Sequence, residues 1–190
     1  NSKDFWIRAD PVHLRIEQNH IMLADSHAFE LTMKEAEQYT NDLNQHLQQD
    51  DLALLPAHPD RWYIRVKQPP QVNTHTLNQV VCENINHFLP TGKEHITWHN
   101  VINEAQMILH EHPLNEAREA RGELAINSIW LWGGGVLPQS AATNYTKIWS
   151  DDELPQALAE MSQSQHDVLP ADAETCWKSA EQGEHLVILN

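Results

Sequence analysis

The residues best able to do chemistry in this 190-residue chain cluster between His110 and Pro138. Arg118 and Arg121 stand three apart and share one face if their segment is helical, so their planar guanidiniums can bracket a phosphate or carboxylate, with Asn115 one turn away. Glu116, Glu119 and Glu123 offer the competing arrangement, a solvated and ion-paired helix face. Gly133-Gly134-Gly135 carries neither G-x-G-x-x-G nor a G-K-[ST] ending. The run reads as a tight turn, with an anion-binding nest of glycine amides as the alternative. His99, Glu104, His110 and His112 are of metal-ligand type, but His110 and His112 are two apart and diverge on a helix, so no metal site is assigned. Asp10, Arg15 and Glu17 can place a carboxylate and an arginine at a strand end or form a surface ion pair. No G-x-S-x-G elbow and no Ser, His and Asp set is present, and no catalytic residue is assigned.

The elements that position these residues read as α/β, a mixed β-sheet with flanking helices. Phe5 to Arg8, Val12 to Ile16 and His20 to Ala24 read as short strands, the last two as a hairpin. Thr32 with Glu35 is a capping box for a helix over Ala36, Thr40, Leu43 and Leu47 that ends in Gln48-Gln49-Asp50-Asp51. Trp62 to Val66 reads as a strand stopped by Pro69-Pro70. Helical spacing recurs over Leu77 to Leu89 and again over Trp98 to Leu109, both as core stripes. Ile126 to Trp132 reads as a buried strand, with Trp130 and Trp132 packing on one face, broken by the glycines and Pro138. Beyond it strand and helix alternate, with Ser150 and Glu153 as one capping box, Asp172 as a second cap, Gly183 as a closing residue and Leu186 to Leu189 as a last strand. The expected division is 1–137 and 138–190.

Composition narrows the function classes. Formal net charge is −15, which argues against a nucleic-acid partner, because phosphate neutralisation needs clustered Lys and Arg. It disfavours an anionic membrane surface too. No apolar run approaches the ~18 residues of a transmembrane helix and no signal pattern opens the chain. Cys82 and Cys176 match no metal or redox spacing and read as packing residues in a reducing, cytoplasmic setting. Thirteen histidines are many for this length and are treated as composition. A chain that starts at Asn1 and ends on a strand-like run reads as a piece of a longer protein.

Asp10-Pro-Val-His-Leu-Arg15, Asp25, the Thr32 helix, His112-Pro-Leu-Asn115-Glu-Ala-Arg118, Gly122, Ala125-Ile-Asn127 and Trp132-Gly-Gly-Gly-Val-Leu-Pro138 together resemble the archaeal-type cofactor-independent phosphoglycerate mutases. They resemble still more closely the proteobacterial mutase-like proteins known as RpfE-type regulatory proteins. The resemblance implies part of an alkaline-phosphatase-like fold, with 1–137 as the inserted substrate-clamp domain and 138–190 as a returning piece of α/β core. It implies a phosphorylated small molecule as ligand, with Arg15, Asn115, Arg118 and Asn127 matching the family motifs. It further implies two divalent metals, usually manganese, in the parent family, with the serine and metal ligands outside this chain, so that the chain alone is inactive. Ile16-Glu17 replaces the family's Cys-Asn, and Asp60-Arg61 its His-Arg. A substrate lid of a metal-dependent phosphomutase or phosphatase, and a regulatory interaction module, are the alternatives.

Overall fold

A computed structural model describes residues 4–18, 20–47, 51–138, 142–180 and 182–189. The chain divides into two compact units, Asn1–Leu137 and Pro138–Asn190. The first is built on β1 (Phe5–Glu17), a single strand where two were expected. Its Pro11 pairs with Ile129 and falls between the residues that pair with β4 (Arg61–Val66) and those that pair with β2 (His20–Ala24). A missing N–H is tolerated there because no second ladder needs it. β4 pairs in turn with β3 (Ala53–His58), which the sequence reading missed because Pro56 interrupts its pattern.

α1 (Met33–Leu47) starts at the expected capping box: Glu35 N–H donates to Thr32 Oγ1 at 3.2 Å, and Thr32 N–H donates to Glu35 Oε2 at 2.9 Å. The expected helix end at Gln48-Gln49-Asp50 lies outside the described residues. Ala36, Tyr39, Leu43 and Leu47 of α1 and Trp98, Val101, Ile102, Ala105 and Leu109 of α3 (His95–His110) join Ile7, Ala9, Trp62, Ile64, Ile129 and Leu131 of the sheet in one core. The fold class is therefore as expected: a mixed α/β arrangement, an antiparallel sheet with flanking helices.

Between β4 and α3 the expected long helix is absent. A two-residue ladder of β5 (Val72–Asn73) and β6 (Thr91–Gly92) encloses only one turn, α2 (Leu77–Val80), and a 3-10 turn at Ile85–His87. Cys82 takes φ +64°, a left-handed conformation that ends a right-handed helix, and its side chain is exposed rather than packed. The Cys176 side chain lies outside the description.

β7 (Ser128–Val136) pairs antiparallel with β1 and runs straight through the three glycines, where a break was expected. The register steps from Arg8 opposite Trp132 to Ile7 opposite Gly134. Gly133 is the extra residue of a β-bulge, with φ +55°. The glycines thus extend the ladder instead of forming a turn.

The second unit is a three-stranded parallel sheet in the order β10-β8-β9, from β8 (Lys147–Trp149), β9 (Gln165–Asp167) and β10 (His185–Val187). Its strands alternate with α5 (Glu153–Ser162) and α6 (Ala173–Ser179), as expected. Asp152, not Ser150, occupies the cap of α5, while Ser150 Oγ accepts from Asp152 N–H at 3.0 Å. Asp172 caps α6 by accepting from Thr175 N–H at 2.7 Å, and α6 ends at Ser179, before Gly183.

A methyl group added at Gly133 would meet only Arg8 Cγ, at 3.9 Å, which isolates the backbone contribution. Gly133→Ala should lower stability in urea denaturation by about 1–2 kcal/mol, and Gly133→Asn by less, since Asn tolerates the left-handed region. Equal stability of all three proteins would show that the bulge is not fixed by φ.

Candidate functional site

The motif residues gather around α4 (Pro113–Ala120), which Pro113 opens and His112 caps. His112 Nδ1 accepts from Leu114 N–H at 3.2 Å, so in the neutral ring Nε2 carries the proton and donates to Asp42 Oδ2 at 2.9 Å. A histidine whose two nitrogens are so occupied is a structural cap and has none left for a metal.

Asn115 is buried and all its hydrogen-bonding capacity is used inside the protein. Its Oδ1 accepts from Tyr39 Oη at 2.6 Å and from Ile126 N–H at 2.8 Å, and its Nδ2 donates to Leu109 O at 2.7 Å and Ile126 O at 2.8 Å. It ties α1, the end of α3 and the approach to β7 together. Burial pushes the Tyr39 phenol well above its ordinary pKa and keeps it a donor.

Arg118 is 1% exposed. Its Nε donates to Leu124 O at 2.8 Å, its Nη2 to Glu30 O at 2.9 Å and its Nη1 to Glu35 Oε1 at 3.1 Å, with Glu123 Oε2 at 3.5 Å. The C-terminus of α4 makes this possible. Gly122, at φ +76°, follows the cap residue Arg121, with Gly122 N–H donating to Glu119 O and Glu123 N–H to Arg118 O, a Schellman turn that brings Glu123 back to both arginines. Arg121 is half exposed and grips Glu123 with two bonds, at 2.8 and 2.7 Å, and Glu35 with one at 3.4 Å.

The two arginines and Glu35, Glu123, Leu124 and the 26–32 loop line an open cleft of about 840 Å³. Glu35 is where charge and architecture meet. Burial pushes its carboxyl upward, but hydrogen bonds from Thr32 and the Arg118 guanidinium outweigh burial and hold it below the ordinary carboxylate range. The arrangement is a neutralised latch, with each guanidinium matched by carboxylate or carbonyl oxygens.

The other expected site residues are elsewhere. Asn127 extends the β7–β1 ladder by a side-chain pair, accepting from Leu14 N–H at 2.7 Å and donating to Leu14 O at 2.8 Å. Arg15 sits exposed on the β1–β2 hairpin in an ion pair with Glu17 and does not line the cleft. Asp10 is buried, where Arg8 and the Trp132 indole bind it. The partners that sequence reasoning missed are Glu30, Asp42 and Tyr39. The Thr32-x-x-Glu35 box was the one legible signal, but it announced a helix start, not an arginine partner 83 residues away.

The 2,3-bisphosphoglycerate-independent phosphoglycerate mutase of Methanosarcina mazei is 28% identical over 141 residues, 72% of this chain and 36% of that protein. That of Methanosarcina barkeri is 27% identical over 122 residues, 63% of this chain and 31% of that protein. The chain is homologous to part of a cofactor-independent phosphoglycerate mutase. A probable mutase of Geobacter sulfurreducens is 35% identical over a shorter stretch of 60 residues, 32% of this chain and 15% of that protein. The matches cover about a third or less of these relatives. No family model matches.

The cofactor-independent phosphoglycerate mutase of Thermoplasma acidophilum superposes with a TM-score of 0.55 at 13% identity, over 97% of this chain and 54% of that one. A Pyrococcus horikoshii protein gives 0.53 at 13% identity over 98% and 46%. The shared fold agrees with the expected likeness to part of the alkaline-phosphatase-like mutase fold. Among the described residues no helix is long and apolar enough to cross a membrane.

Replacing Arg118 with Leu removes the buried donor of two carbonyls and of Glu35, which keeps only Thr32 and the longer Arg121 bond, and should destabilise the chain by about 3–5 kcal/mol in urea at neutral pH. The depressed Glu35 pKa gives the sign of the pH dependence: its stabilisation is present above the ordinary value of 4.5 and is lost as pH falls through the lower folded value. Wild-type stability should therefore drop below pH 4.5 more steeply than that of the Arg118→Leu variant, measured as denaturation midpoints across pH. Parallel curves would exclude the latch as an electrostatic element.

Proposed function

We propose that this mutase-like chain is a substrate clamp for a phosphorylated small molecule and does not catalyse phosphoryl transfer alone. Residues 1–137 are the clamp in this reading and residues 138–190 a returning piece of α/β core, in a protein akin to the RpfE-type mutase-like proteins. The reading is carried by the homology to mutases that act on phosphoglycerate, which spans most of this chain but a minor part of theirs. The motif geometry supports it, because Asn115, Arg118 and Asn127 make one rigid body of the segment that follows α3.

In this reading the parent family's two divalent ions sit on ligands outside this chain. Among the described residues no group of three or more His, Cys, Asp or Glu side chains is placed to hold a metal ion. The donor set described does not fit such a centre, and no catalytic step is assigned to it. What the chain contributes is binding and orientation.

Calorimetric titration with 3-phosphoglycerate should show saturable binding at millimolar ligand, unchanged by manganese, while the same protein with manganese present transfers and releases no phosphate. Absence of saturable heat would remove the clamp assignment. Turnover by the chain alone would remove the assignment as inactive.

A further inference from the structure

The guanidiniums that sequence spacing singled out are neutralised, as is Arg8 by Asp10, whereas Arg65 has no ion pair with a described residue. Along β1, β4 and β7 the side chains alternate. Ile7, Ala9, Trp62, Ile64, Ile129 and Leu131 fill the core, so Trp6, Arg8, Tyr63, Arg65 and Trp132 stand on the opposite face. The registers make a grid of them: Arg8 lies between Tyr63 and Trp132, and Trp6 lies between Arg65 and Gly135.

Arg8 is held in place from below and from both sides. Its Nε and Nη2 donate to the buried Asp10 carboxylate at 2.9 and 2.8 Å, and Trp132 Nε1 donates to the same carboxylate at 2.7 Å. Its Cζ lies 4.8 Å from the Trp132 ring centroid and 5.3 Å from that of Tyr63. Burial pushes the Asp10 carboxyl upward while Arg8 and Trp132 pull it back, so the pair is mutually dependent. No described residue accepts a hydrogen bond from Arg8 Nη1. Arg65 is exposed and makes no ion pair or hydrogen bond with any described residue. A methyl added at Gly135, beside Trp6, would meet nothing within 4 Å, so that rim of the face is open. The Arg8–Asp10 pair carries no net charge, so Arg65 is the uncompensated cation of this aromatic-walled face and Arg8 Nη1 a second, fixed donor.

We infer that this sheet face, with the Arg65 guanidinium as its charge and Arg8 Nη1 as a fixed second donor, is where the clamp holds the phosphate or carboxylate of a small phosphorylated acid. The inference rests on the clamp reading above and relocates its anion site away from Arg118 and Arg121. Diagonal cross-strand neighbours stand roughly 7–8 Å apart, which lets two guanidiniums converge on one oxyanion. Fixing Arg8 beforehand lowers the ordering cost of binding. Trp6 and Tyr63 offer ring surface to the carbon skeleton.

The test titrates the whole chain with 3-phosphoglycerate and, separately, with inorganic phosphate, by calorimetry and by NMR of the arginine Nε–H signals. Arg65→Ala, whose side chain has no internal partner to lose, should keep its far-UV spectrum and weaken binding of both ligands about tenfold or more. Arg65→Lys should fall between, Arg121→Ala should bind within twofold of wild type, and the Arg8 Nε–H signal should shift on saturation. Wild-type affinity in Arg65→Ala overturns this site and leaves the clamp reading standing. A wild-type chain that binds neither ligand overturns both.

Discussion

A guanidinium that is 1% exposed must have every donor direction answered, and in this chain that requirement organises the first unit. Arg118 reaches Leu124, six residues on, and Glu30 and Glu35, 88 and 83 residues back, and the two segments must converge before the charge can be buried. The capping box of α1, the Schellman turn after α4 and the approach to β7 are each local structures that sequence can specify. Arg118 is what makes their relative placement obligatory. Asn115 does the same for neutral groups, answering Tyr39, Leu109 and Ile126 with one amide.

A motif shared with enzymes is easily taken for a set of ligand contacts. Here Asn115, Arg118 and Asn127 are bonded to the protein itself, and the surface left to a ligand is set by what they hold still. Arg118 and Arg121 do meet over one cleft, as their spacing suggests, yet Glu35 and Glu123 balance their charge there. Spacing along a helix says which side chains share a face, but not which distant carboxylate reaches them first.

The fold was legible where periodicity is strong and local. The Thr32–Glu35 box, the α3 stripe, the β1–β2 hairpin and the strand–helix alternation after Pro138 all stand where the sequence places them. It was illegible where a backbone exception or a long-range partner decides. Pro11 reads as a break until the registers of β2 and β4 are known, the glycines read as a turn until β1 supplies a ladder for them, and Cys82 gives no warning of its φ of +64°. The site was less legible than the fold, because Arg8 and Arg65 are 57 positions apart and become neighbours only through the pairing of β1 with β4.

The second unit stands in contrast. Among its described residues only Ile148, Trp149, Ser150 and Ala159 are buried, while Trp177, Leu154 and Leu189 are exposed. The organised chemistry of this chain therefore belongs to the first unit and depends on the arginine latch. A double-mutant cycle between Glu35→Gln and Arg118→Leu, read by urea denaturation at neutral pH, tests that dependence most directly. The latch requires a coupling free energy of at least about 1.5 kcal/mol, in the range seen for residues of one buried network. Additive effects of the two substitutions would mean that the buried guanidinium is held by the backbone carbonyls alone and that Glu35 does not organise the fold.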